Sequence, residues 1–152
     1  MCAVANAERG AETVRICADP FEGDGMLLDQ ATDEKMFIEQ VYARAKVSEG
    51  AEAVVTKAFA LKADKGKEYA AGRTLVILSA AGGPLSPNKL ARQIKGTHHF
   101  KGVWLLGLDA ASIAEGRYAY DVADVSGETE PAPVWRVTLA EDFSTWTVDR
   151  IQ

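Results

Sequence analysis

Two continuous apolar runs, Thr74-Leu-Val-Ile-Leu-Ser79 and Val103-Trp-Leu-Leu-Gly-Leu108, limit the fold of this chain more than any other feature. Each is far shorter than the ~20 residues a membrane-spanning helix requires. Each is also bounded by turn residues, with Gly72 before the first and Gly82-Gly-Pro84 after it. A strand that is apolar on both sides must be covered on both faces, which is the condition of a central strand in a layered α/β domain. Between the runs, Ser86 is placed to cap a helix with Pro87 at its first position, and Gly96 to close it. Strand, helix and strand in this order predict a right-handed crossover and parallel neighbours.

The flanking segments complete a mixed sheet. Glu49 to Ala71 reads as a helix, with Val54, Val55, Ala58, Phe59, Leu61 and Lys62 at helical spacing and Gly66 interrupting its last turn. Upstream, Glu12–Cys17 alternates as a strand, Gly23-Asp-Gly25 signals a turn, and Met26–Gln30 is a second strand. Met36–Ala43 reads as a third strand, because Phe37, Ile38, Val41 and Tyr42 favour β structure and turn-like residues precede them. A helix from Asp33 to Lys46 is the alternative. The last third alternates three times, over 117–123, 133–139 and 145–151, as short antiparallel strands with Trp135 and Trp146 covering one face. The expected fold class is α/β: a mixed central sheet with flanking helices and C-terminal antiparallel strands. No internal repeat or low-complexity linker appears and no stretch looks like a domain boundary in residues 1–152, a length typical of one domain.

Charge is uneven along the chain. Residues 35–102 carry twelve Lys or Arg against five acids, whereas 1–34 carry two against eight and 103–152 three against nine. Clustered cations are what a polyanion rewards, so the basic middle third makes nucleic acid a candidate partner. The competing explanation is ordinary solvation, with Lys57, Lys62, Lys65 and Lys67 on the outer face of one helix and Lys89, Arg92 and Lys95 on that of another. No apolar stretch is long enough for a membrane helix, and the first residues lack the basic and apolar regions of a signal peptide. Two cysteines, Cys2 and Cys17, are too few for a disulfide framework or a cysteine zinc site. The expectation is a soluble, cytoplasmic protein.

The order strand–strand–strand–helix–strand–helix–strand, over roughly residues 12–108, resembles the restriction-endonuclease-like fold of the PD-(D/E)xK nuclease superfamily. The local features behind the resemblance are Ala63-Asp-Lys-Gly-Lys-Glu-Tyr-Ala70 leading into Thr74–Leu78, and then Phe100-Lys-Gly-Val-Trp-Leu-Leu106. The resemblance implies an acid on the second strand and an acid-x-lysine on the third, the two carboxylates holding a divalent cation such as magnesium. By order those acids are Asp29 and Glu39, the implied metal ligands, with Gln40 as a substitute for the second acid. The lysine position then falls on Val41 or Tyr42, neither of which can position or activate a water. A lysine relocated from the following helix, Lys57 or Lys62, would restore the set. The resemblance therefore implies a degenerate, non-catalytic nuclease-fold protein that binds nucleic acid or a protein partner. The alternatives are an active magnesium-dependent nuclease with a relocated lysine, and an interaction or assembly module docking a partner or a second copy by the sheet edge near Trp146. Register decides whether the acids meet: Asp29 directly across from Glu39 shares its face, whereas Leu28 across from Glu39 turns Asp29 away.

The remaining chemistry-bearing residues are less telling. His98 and His99 are adjacent on an extended segment and point in opposite directions, which makes them a poor ligand pair. Ser79-Ala-Ala-Gly-Gly-Pro-Leu-Ser-Pro87 lies where α/β proteins bind phosphate, but it lacks a phosphate-loop motif, and its prolines remove backbone donors. It reads as a turn and a helix cap. Cys17, inside an alternating strand, reads as a small buried hydrophobe.

Overall fold

The two apolar runs lie side by side at the centre of one sheet. The structure is a computed structural model and describes residues 1–18, 24–44, 49–81, 83–112 and 116–152. Its strands are β1 (Val14–Cys17), β2 (Gly25–Asp29), β3 (Glu34–Ala43), β4 (Arg73–Ser79), β5 (Gly102–Ser112), β6 (Arg117–Asp124), β7 (Val134–Leu139) and β8 (Trp146–Arg150). They form an eight-stranded sheet in which spatial order follows chain order. The β3–β4 and β4–β5 pairs are parallel, as the strand–helix–strand pattern requires, and the other pairs are antiparallel. Four helices accompany the sheet among the described residues: α1 (Cys2–Arg9), α2 (Ala51–Ala63), α3 (Lys67–Ala70) and α4 (Pro87–Ile94). The fold is mixed α/β. Residues 36–43 are strand, not helix, and the strand begins two residues earlier than the sequence suggests. Gly23, Lys46 and Gly82, which entered the expected turn, alternative helix and loop, lie outside the described residues.

On one face, α2 and α4 cover β3, β4 and β5. Ala51, Val54, Val55, Ala58 and Phe59 are the buried stripe of α2, and Leu90, Ala91 and Ile94 that of α4. They close over Leu75, Ile77, Val103 and Leu105. Full burial of such a side chain stabilises the fold by about 2 kcal/mol. The Ser86 hydroxyl accepts from the Lys89 amide at 3.3 Å and Pro87 opens the helix, the start that the sequence predicts. The single helix expected over 49–71 is two: Gly66, at φ 89, turns the chain between α2 and α3. Leu61, expected on the apolar stripe, points to solvent and is 64% exposed.

The other face is covered by α1, which the sequence pattern does not announce. The sheet curls around this helix, which touches β1 at one end of the strand order and β7 and β8 at the other. Val4 is 1% exposed and packs with Val122, Trp135 and Val137. Asn6 fixes the helix to β1, donating to the Val14 carbonyl at 3.0 Å and accepting from the Val14 amide at 2.8 Å. The Trp135 indole N–H donates to Glu8 at 2.6 Å and the ring stacks on Trp104. Trp146, expected to cover the same face, is 47% exposed on the edge strand β8. Cys17 is half-buried rather than buried, because β1 is the opposite edge strand; both cysteines are free thiols. Among the described residues, no helix is long and apolar enough to cross a membrane.

Candidate functional site

The β2–β3 hairpin sets the positions of the expected acids. Its register pairs Asp29 with Glu34, Leu28 with Lys35 and Gly25 with Ile38, which is neither of the two arrangements considered from sequence. The turn is tight, with Asp33 in the left-handed region at φ 57. Glu39 therefore lies five residues along β3 from the partner of Asp29, about 17 Å away. An odd offset also puts it on the opposite face. Asp29 faces α1, where the Arg9 guanidinium pairs with it and the Ala31 amide donates to it at 3.0 Å. Those bonds hold its carboxyl down, from an ordinary 3.8 to about 2. Glu39 faces α2. Gln40, on the α1 face like Ile38, gives its backbone N–H to the Asp24 carboxylate at 2.6 Å, a bond that ends the hairpin pairing.

Asp29, Glu39 and Gln40 thus do not converge. Magnesium needs several hard oxygens in one place. Here each expected carboxylate is already neutralised by a cation of its own. Among the described residues, no three His, Cys, Asp or Glu side chains are grouped to hold a metal ion. The residues present do not fit the magnesium that the resemblance implies.

The structure builds a different cluster around Glu39. This side chain is 7% exposed, between the inner face of α2 and the start of β4. The Lys62 ammonium donates to it at 2.5 Å and the Arg73 guanidinium lies at 3.6 Å. Burial alone would raise the Glu39 carboxyl, but hydrogen bonds from Lys62 and Tyr69 outweigh it and hold the group below the usual carboxylate range. Burial likewise opposes charge on Lys62, and its bonds to Glu39 and Tyr69 push the ammonium up instead. Tyr69, on α3, is the hub: its hydroxyl is 3.2 Å from the Lys62 ammonium. Its ring carries the Lys65 ammonium at 4.3 Å and the Arg73 guanidinium at 5.1 Å, and meets Phe100 edge-on. Lys62 and Arg73 pair with Glu39 and Lys65 lies on the Tyr69 ring, so three cations share one carboxylate within the cluster.

Of the two candidate relocated lysines, Lys62 reaches Glu39 and Lys57 is exposed on the outer side of α2. The signal was in the spacing, since Lys62 continues the buried series Val54, Val55, Ala58, Phe59. Tyr69 and Arg73 had no such signal, because the turn at Gly66 brings them in. Lys65 and Lys67 are solvent-exposed, and Lys89 and Arg92 pair with Glu52 and Glu130 on the surface. The adjacent histidines do point apart: His98 packs against Phe59 and Phe100, and His99 is exposed. Comparison with models of known families, with curated proteins and with solved structures finds no match.

Proposed function

We propose that this chain is a degenerate, non-catalytic nuclease-like domain that binds nucleic acid through its phosphates. The observation that carries the reading is the cluster on Tyr69, where Lys62, Lys65 and Arg73 outnumber Glu39. A buried carboxylate locked between two cations is a poor metal ligand, yet it fixes those cations in place, and fixed cations are suited to phosphate oxygens. The exposed Lys65 and Lys67 stand beside the cluster, between the equally exposed Asp64 and Glu68. The element order from β1 to β5 is the one on which the resemblance to the restriction-endonuclease-like fold rests.

The test is fluorescence anisotropy of a labelled duplex, DNA and RNA in turn, with the full chain at salt from about 50 to 200 mM. Contact through about three phosphates gives a log–log salt slope near −2.7. Combining Lys65→Glu with Arg73→Gln weakens binding and flattens that slope. Absence of binding at the lowest salt overturns the proposal. Cleavage of the duplex with magnesium or manganese, lost on Glu39→Ala, replaces it with an active nuclease that uses Lys62. A mass that rises with concentration, with no nucleic-acid affinity, replaces it with an assembly module.

A further inference from the structure

A second concave site lies at the opposite end of β4, about 20 Å from the Tyr69 cluster along the strand. The cleft there has a volume of about 410 Å³ and opens at the C-terminal end of β4, beside Leu105–Asp109 in the middle of β5. Leu85, Leu105 and Val134 give it an apolar lining, and Ser79, Asp109, Asp121 and Gln152 are its polar side chains, the Gln152 amide already bonded to Asn88 and to the Ala132 carbonyl. Ser79 is 9% exposed, and the one hydrogen bond of its hydroxyl among the described residues is a long one, accepted from the Ala81 amide at 3.4 Å. Its O–H donor has no protein acceptor there. Asp109 sits at a bulge, where the β5–β6 register shifts between Leu108 and Ala110. Bulges re-aim side chains and are common beside functional sites.

The charge of the cleft selects the ligand. Arg136 grips Asp121 with two bonds, at 2.9 and 3.1 Å, and reaches Asp109 with the same terminal nitrogen at 3.1 Å. Two carboxylates against one guanidinium leave the described side chains of the wall net negative. The start of α4 offers little to offset this. Pro87 has no N–H, and the Ser86 hydroxyl already takes the Lys89 amide. We infer that this cleft binds a small organic cation, an amine with an apolar body, whose ammonium meets Asp109 while its body lies on Leu85, Leu105 and Val134. The site is independent of nucleic-acid binding at Tyr69.

The experiment is a titration of the full chain followed by amide proton–nitrogen spectra, with 2-phenylethylamine as probe and 3-phenylpropanoate as its anionic counterpart. The amine produces saturable shifts at Ala81, Gly107 and Gln152, and the carboxylate does not. Asp109→Asn, at an exposed position, lowers the affinity for the amine about tenfold. Leu85→Trp fills the cleft and abolishes binding, with the dispersion of the remaining spectrum confirming an intact fold. Absence of saturable shifts with the amine, equal binding of the carboxylate, or an affinity unchanged by Asp109→Asn each overturns the inference.

Discussion

At the scale of single residues, the decisive side chain is Lys62. It lies on the buried stripe of α2, where an apolar residue would be expected, and its side chain is only 14% exposed. It is tolerated there because Glu39, on the facing strand, satisfies its charge at 2.5 Å. Breaking one member of such a pair leaves the other charge buried, at a cost of about 3 kcal/mol, whereas replacing both by apolar groups of similar volume is close to neutral. Lys62→Met alone should therefore destabilise the protein by about 3 kcal/mol, less whatever Arg73 recovers by moving closer. Adding Glu39→Leu should restore most of the loss. Urea unfolding of the two single variants and the double variant measures the coupling. Additive effects would mean that the pair is only a neighbourly contact. The sequence pattern contained half of this result, since helical spacing placed Lys62 with Phe59. Nothing local showed that residue 39, 23 positions upstream, would stand opposite it.

Among the elements, α1 contributes most against its own local signal. Eight residues are too few for a stable isolated helix, so its existence depends on the sheet it covers. Two polar latches complement the burial of Val4: Arg9 to Asp29 on β2, and Glu8 to the Trp135 indole on β7. The first responds to pH. A carboxyl held at about 2 in the folded protein and near 3.8 when released adds stability that is fully present above pH 4 and is lost as pH falls through 2. Wild type and Asp29→Asn should accordingly differ in melting temperature at neutral pH and converge as pH drops from about 4 to 2. Fluorescence from Trp135 reports whether α1 leaves its seat in the same interval. A constant difference across that range would show that Asp29 acts through packing and not through its charge. The separation of α2 from α3 has the opposite origin. It is local, written in Gly66, whose φ of 89 a residue with a side chain adopts only under strain.

For the whole molecule, the sheet order predicts where the structure is hardest to open. β4 is flanked on both sides by parallel partners and covered by helices, whereas β1 and β8 are edges. Hydrogen exchange should leave Leu75, Val76 and Ile77 protected to the limit of global unfolding. Amides of β1 and β8 should exchange by local opening orders of magnitude faster. Uniform protection across the sheet would instead mark the curl and α1 as one cooperative unit with the centre. The same arrangement separates the chemistry. The cluster on Tyr69 lies at the N-terminal end of β4 and the acidic cleft at its C-terminal end, so a rigid strand holds the two sites apart.

Strand and helix identity came from the sequence wherever the pattern was local. Continuous apolar runs gave β4 and β5, the Ser86–Pro87 pair gave the start of α4, and β-branched and aromatic residues gave β3. Contacts between distant segments belonged to the tertiary structure. A hairpin register set by one turn sent Asp29 and Glu39 to opposite faces, and a curl of the sheet gave α1 its seat. The physical reason is range. Propensity and periodicity act over a few residues, whereas the face on which a charge emerges depends on the parity of a turn, and its partner depends on which helix packs there.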